Sequence, residues 1–326
     1  MASPNATFTE LVTTTLRKHR KELADNVSKN NALLARLMKK GRIETVSGGY
    51  EIVEPLEYAE NSTYQRYSGY GTLNTSASDV FTAAKFDWKQ AAVNVAANGL
   101  ELRSNAGKEQ LIKLAKSRMN NAIRTFKNNL SLDVYSDGTA TNQLNGLQAL
   151  VADAGTGTVG GIVSGTYTFW KNKVQSAAAP LQGGGAITVS KTTIQSLMLP
   201  LWLELSRGGD HPDLLVFAND YFTNYEESLT DLKRYTTDGE GTGGFTSLKY
   251  KDADVIFDGG TNGGGITAAH GYFLNTDYLR MVAHEDANMT ELDQKASINQ
   301  DAVVIPIIWQ GNLTTSNRSL QGVMKA

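Results

Sequence analysis

At 326 residues the chain has room for about two ordinary domains, or for one core with elaborate extensions. Its hydrophobic share of 40% and aromatic share of 8% suit a folded soluble protein. Cysteine is absent, which excludes disulfides, thiolate metal sites and a cysteine nucleophile, and a reducing cytoplasm fits such a chain.

Apolar stretches such as Leu197–Leu203 fall far short of the ~20 residues of a membrane span. The first residues, MASPNATFTE, lack the basic start and apolar core of a secretory signal. The formal net charge is −2, but it is unevenly spread: residues 1–42 carry nine Lys/Arg against three acids, and residues 108–127 carry six against one. Such asymmetry points to faces that meet an anionic partner, with solvated helical faces as the plain alternative.

In chain order, residues 8–40 read as helix in two pieces. Thr7 and Glu10 form a capping box ahead of Phe8, Leu11, Val12 and Leu16. Leu33, Leu34, Leu37 and Met38 mark the second piece, which ends on Lys39-Lys40-Gly41, cations at the negative end of the dipole followed by a terminating glycine. Residues 42–100 are extended in character. Ile52, Glu54 and Leu56 alternate with Val53 and Glu57, Pro55 argues against a central strand, and Phe86 and Trp88 share a face of the return run.

Between those runs, residues 60–84 are mostly Ser, Thr, Asn, Gly, Ala and Tyr and supply little core of their own. Tyr64, Tyr67 and Tyr70, with Arg66 among them, mark this excursion as a contact surface, because tyrosine offers amphipathic area at low entropic cost. A long helix follows over about 108–135. Leu111, Ala115, Met119, Ala122, Phe126 and Leu130 form its buried stripe, Lys113, Lys116, Arg124 and Lys127 a basic arc beside it, and Gly138 closes it.

Beyond residue 145, helix, strand and glycine-rich loop alternate. Thr192-Thr193 start a helix that Pro200 interrupts, Asp213–Ala218 is a buried strand, and Asn219 caps a helix through Tyr235. Ala253–Phe257, Tyr272–Leu274, Tyr278–Val282 and Ala302–Trp309 read as strands, and glycine clusters at 155–165, 183–185, 239–244 and 259–265 as exposed loops.

Motifs for chemistry are weak. Gly155, Gly157 and Gly160 match GxGxxG literally, but the following residues look like strand or turn instead of a helix, and Gln175 lies near the place of the expected acid. The four histidines, His19, His211, His270 and His284, have no metal-ligand spacing, and His284-Glu285-Asp286 reads as a polar turn. No nucleophile elbow or phosphate loop is present. The expectation is a protein that is not an enzyme and needs no cofactor or metal. The basic residues Arg17, Lys18, Arg20 and Lys21 of the N-terminal arm, with Lys113, Lys116, Arg124 and Lys127, suit sequence-independent contact with phosphates or an acidic partner.

Taken in order, AKFDWKQAAVNVAANGLELRSNAGKEQLIKL, YSDGTATNQLNGLQALV, PDLLVFANDYFTNYEESLTDLKRY, YFLNTDYLRMVAHEDANM and GNLTTSNRSLQGVMKA resemble the HK97-fold major capsid proteins of tailed bacteriophages over nearly the whole chain. The resemblance implies an α+β fold. Residues 1–41 correspond to an N-arm, and 42–100 to an extended E-loop hairpin with flanking strands. Residues 101–145 and 289–311 correspond to a P-domain with a spine helix, and 146–288 and 312–326 to a mixed α/β A-domain. It further implies hexamers and pentamers of this chain in an icosahedral virion capsid around double-stranded DNA, assembled in the bacterial host cytoplasm. Tyr64, Arg66, Tyr67 and Tyr70 then make E-loop contacts with neighbouring copies. A portal protein, a decoration protein and a separate scaffolding protein are the implied partners, and no membrane is involved. The short segment ahead of the E-loop implies no cleaved scaffolding segment. No lysine lies between Gly41 and Ala84, so a covalent lock from an E-loop lysine is not expected. An encapsulin-type cellular compartment is the nearest rival, and a nucleotide-dependent enzyme resting on GxGxxG the distant one.

Overall fold

The computed structural model describes residues 31–98, 108–229, 247–259, 265–293, 295–296 and 301–326. Helix α1 (Ala32–Lys39) leads into strands β1 (Ile43–Val46), β2 (Ile52–Glu57), β3 (Phe81–Phe86) and β4 (Lys89–Asn98). Helices α2 (Lys108–Val134) and α3 (Leu147–Leu150) follow, then strands β5 (Thr158–Val159), β6 (Ile162–Val163) and β7 (Lys173–Ser176). Helix α4 (Ile194–Leu205), strand β8 (Leu214–Phe217) and helix α5 (Asn219–Ser228) come next. Strands β9 (Ser247–Tyr250), β10 (Ala253–Phe257), β11 (His270–Leu274), β12 (Leu279–Glu291), β13 (Lys295–Ala296), β14 (Ala302–Thr315) and β15 (Gly322–Lys325) complete the chain.

One sheet has six strands in the order β7-β15-β11-β8-β10-β9, with β8–β10 and β7–β15 parallel and the rest antiparallel. Its central strand β8 is buried at every position, and the period of two explains why. Leu214 and Val216 enter a core shared with α1 and the end of α2, while Leu215 and Phe217 enter a second core beneath α4 and α5. Both faces are covered, so the strand reads as a continuous apolar run.

Pro200 lies inside α4 instead of interrupting it. A proline has no N–H for the carbonyl four residues back, and the Gln182 side chain donates instead to that Ser196 carbonyl, at 3.4 Å. Helix α5 also departs from expectation. Ala218 holds the cap position without a side-chain bond, and the helix is described to Ser228. Its anticipated continuation to Tyr235 lies outside the described residues, as do residues 239–244.

A second sheet runs β1-β12-β14-β13, with β4 also paired to β14 along ten residues. Strands β12 and β14 extend well past the sequence expectation, to Glu291 and Thr315. Register shifts between Ala283 and Thr290 break the alternation that would have marked them as single strands. Helix α2 lies against this sheet. Met119, Ala122, Phe126, Leu130 and Val134 are buried, Met119 and Ala122 among Ala97, Ile305 and Ile307, and Phe126 edge-on to Trp309.

Helix α1 is fastened at both ends. Asn31 caps it through the Leu34 N–H at 3.1 Å and donates to Ser131 Oγ on α2 at 3.0 Å. At its far end Gly41 N–H reaches Met38 O and Arg42 N–H reaches Leu37 O, the paired bonds of a Schellman turn, with Gly41 at φ +66°. Arg36 binds Asp213 and Asp254, Lys40 binds Asp213 and Asp277, and Arg42 binds Asp277. Part of the positive charge of residues 1–42 is therefore neutralised within the chain itself and does not face a partner.

Candidate subunit-contact arm and basic helix face

Strands β2 and β3 form a two-stranded arm, paired from Ile52–Phe86 to Glu57–Phe81. The Tyr58 N–H donates to Val80 O beyond the last pair. Ladder bonds alternate in an antiparallel pair, so this bond fixes the phase: residues 52, 54, 56 and 58 bond across the arm. Pro55 falls between them, at a position where its missing N–H removes no ladder bond. This is how the proline is accommodated, and it leaves the outer edge of β2 open.

The root of the arm is rigidly tied to the body. Ile52, Leu56, Ala84 and Phe86 are buried. Glu54, only 4% exposed, shares their face and accepts a 2.8 Å bond from Thr314 Oγ1. Arg280 Nη1 lies 3.6 Å from Glu54 and 3.7 Å from Glu44. Lys85 N–H donates to Gly160 O at 2.9 Å, and Trp88 Nε1 donates to Gly49 O at 2.9 Å.

The glycines of the GxGxxG match run up to this buttress, and Gly160 among them makes the contact with the arm. They lead into the β5–β6 hairpin, with Gly160 and Gly161 at φ +59° and +76° in the turn. The strand–loop–helix context of a dinucleotide site is not formed there. A Cβ on Gly160 would stand 2.7 Å from Ala84 Cβ, so the turn packs directly on the arm. The 155–165 cluster is thus a hairpin, not only a loop. The acid Glu54 sits in the apolar phase of its strand, which is the signal by which sequence reading could have found it.

Beyond the root, residues 58–80 have no helix or strand. Ser62 and Ser78 bond across the excursion at 3.2 Å, and Gln65 Nε2 donates to Thr72 O at 2.7 Å, closing a loop around residues 66–71. Tyr64, Tyr67 and Tyr70 are 82%, 66% and 108% exposed, and Arg66 is exposed among them. Among the described residues no ring pair joins these tyrosines. Lys85 lies at the root, 3.4 Å from Glu51, and not near the tip.

On α2, Arg124 is exposed and Lys127 half-buried one turn on. Burial, and then the Arg124 charge, lower the Lys127 pKa. Lys113 and Lys116 fall on the same helix; their side chains, and residues Arg17, Lys18, Arg20 and Lys21 entirely, lie outside what the structure describes. His284, Glu285 and Asp286 lie within strand β12 instead of a polar turn: His284 pairs with Val46 of β1 and is half-buried edge-on to Trp88, and Asp286 N–H meets His284 Nδ1 at 3.2 Å. Among the described residues no group of three or more His, Asp or Glu is placed to hold a metal ion, and no helix is long and apolar enough to cross a membrane.

No family model and no curated protein matches the chain. Solved structures do. The capsid asymmetric unit of cyanophage A-1(L) aligns with a TM-score of 0.60 at 13% identity, covering 87% of this chain and 90% of that one. The capsid of the native GTA particle aligns at 0.55 and 11% identity over 89% of each chain. A structure from Mycobacterium phage Bobi aligns at 0.54 and 11% identity over 91% and 90%. At such identities the likeness is one of fold, and the chain has the α+β, HK97-like fold of phage capsid proteins.

Proposed function

We propose that this chain, with its HK97-like fold, is a major capsid protein whose copies assemble into the icosahedral head of a tailed phage. The observation that carries the reading is the arm. Its root is fixed by a buried carboxylate and a hairpin buttress, while its Tyr-rich excursion is exposed and unpaired. An arm held rigidly and left uncovered makes sense when a neighbouring copy covers it. Weak contacts repeated over many copies then give a stable particle.

On this reading residues 1–41 form the N-arm, 42–100 the E-loop and its flanking strands, 101–145 and 289–311 the P-domain, and 146–288 with 312–326 the A-domain. Tyr64, Arg66, Tyr67 and Tyr70 meet a neighbour within hexamers and pentamers. Arg124 and Lys127, with Lys113, Lys116, Arg17, Lys18, Arg20 and Lys21, face packaged double-stranded DNA or an acidic partner without reading sequence. A scaffolding protein, a portal and a decoration protein act in the same particle, which assembles in the host cytoplasm. The role is structural and calls for no cofactor.

Negative-stain microscopy of the purified chain, alone and with proteins of its own gene neighbourhood, tests this. Closed shells are expected, filled with DNA when isolated from infected cells. A chain that stays monomeric under all these conditions refutes the reading, and shells loaded with an enzyme point to a cellular compartment instead.

A further inference from the structure

A cavity of about 640 Å³ lies where the arm meets the body. Consecutive residues from Glu54 to Glu60 line one side, and Phe169, Trp170, Tyr278 and the loop around Asn317 line the other. Its volume is that of a site for a compact ligand or for more than one large side chain. Tyr58 and Phe169 form an aromatic pair there, with centroids 5.9 Å apart.

The charges of the groove divide into two groups. Arg280 bridges Glu44 and Glu54, while Arg207 and the Tyr278 hydroxyl are both engaged by Asp210. Glu57 and Glu60 are exposed, and among the described residues neither has an ion-pair partner. The groove thus offers an aromatic surface with two uncompensated carboxylates at its rim. The strand that lines it has an open edge at Pro55 and Glu57.

An occupant must bring a cation beside an aromatic side chain on an exposed, narrow segment. Such a segment lies in the arm of the chain itself. Arg66 is the only base between Arg42 and Lys85, and Tyr67 follows it. Both lie in the loop closed by Gln65 and Thr72 and are exposed in their own copy of the chain. We infer that the groove of one copy receives the Arg66–Tyr67 turn of a second copy. The guanidinium sits between Glu57 and Glu60, and the phenol packs on Tyr58 and Phe169. The inference rests on the shell-building reading and adds to it a receiving site. Charge sets the register of this contact, because exposed ion pairs are screened by salt, and aromatic burial supplies the hold.

The absence of native cysteine allows a site-specific probe. Glu60→Cys carrying a benzophenone maleimide is assembled with isotope-labelled chains bearing no probe, illuminated, and mapped by peptide mass spectrometry. Adducts on residues 62–72 of the labelled copy are expected. Particles that form but give adducts on the probe's own chain, on another part of the neighbour, or on another protein overturn the inference and leave the shell reading intact.

If the labelled variant does not assemble, a charge exchange decides. Arg66→Glu should lower particle yield at least tenfold, and adding Glu57→Lys with Glu60→Lys should restore it. Failure of the exchange to restore yield overturns the groove. An unmodified protein that never forms particles removes the shell reading and this inference together.

Discussion

Replacing Glu54 by alanine tests how the arm is held. The carboxylate is almost fully buried and is the acceptor for Thr314 Oγ1 at 2.8 Å. Its loss leaves the buried hydroxyl with only the long 3.4 Å bond to Arg280 O, which costs about 1–3 kcal/mol. Breaking a fully buried ion pair costs ~3–5 kcal/mol, but Arg280 is 32% exposed and retains Glu44 at 3.7 Å, so about 1 kcal/mol of that remains. The expected loss for Glu54→Ala is therefore about 3 kcal/mol. Glu54→Gln keeps an acceptor for Thr314 and should lose about 1 kcal/mol. At ~2.1 cal/mol/K per residue over 326 residues, 1 kcal/mol corresponds to about 1.5 °C in Tm. Urea unfolding of the unassembled chain, followed by tryptophan fluorescence, measures the order Glu54→Ala below Glu54→Gln below the unmodified protein. Hydrogen exchange in β2 and β3 should run in the opposite order, fastest in the alanine variant and slowest in the unmodified protein. An alanine variant within about 0.5 kcal/mol of the parent, or a glutamine variant as damaged as alanine, refutes the claim that this hydrogen bond anchors the arm.

Other outcomes follow from the same packing. Gly160→Ala places a Cβ 2.7 Å from Ala84 Cβ at φ +59°, so it should cost about 1–3 kcal/mol, read by urea unfolding, whereas Gly161→Ala meets open space and bears only the strain of its backbone conformation. Burial, and then the Asp258 charge, raise the pKa of Tyr135; burial also raises those of Tyr225 and Tyr272. The folded state then holds these protons above pH ~10, where the unfolded state releases them, so stability must fall as pH rises past ~10. Tyrosinate absorbance should show a late step coincident with loss of the tryptophan signal; complete titration of all the tyrosines in the folded chain contradicts the burial. Arg124→Gln with Lys127→Gln should lower the salt dependence of binding to double-stranded DNA by ~0.9 in log–log slope for each phosphate that is no longer neutralised. An unchanged slope removes this helix face from DNA binding.

Much of the fold was legible in local pattern. The stripe from Met119 to Leu130, the Gly41 stop and the apolar run of β8 each follow from helix or strand period, and each is found as expected. Reading failed where a distant residue supplied what local sequence lacked. Pro200 stays within α4 because Gln182 meets the freed carbonyl. Strands β12 and β14 run on through irregular register because their neighbours keep pairing with them. The charge of the N-terminal region looked outward in sequence, yet Asp213, Asp254 and Asp277 hold Arg36, Lys40 and Arg42 within the chain.

The arm divides along the same line. Sequence alone determined that residues 60–84 have too little apolar surface to bury themselves. It also determined that Pro55 belongs at an edge, because a missing donor is a local property. Only the tertiary structure decided that Glu54 turns inward to Thr314, that Gly160 packs on the arm from a hairpin turn, and that a groove opens at its root whose rim carboxylates, Glu57 and Glu60, have no ion-pair partner among the described residues. Periodicity is written in neighbours along the chain, whereas a buried charge or a groove depends on partners brought together from more than a hundred residues away.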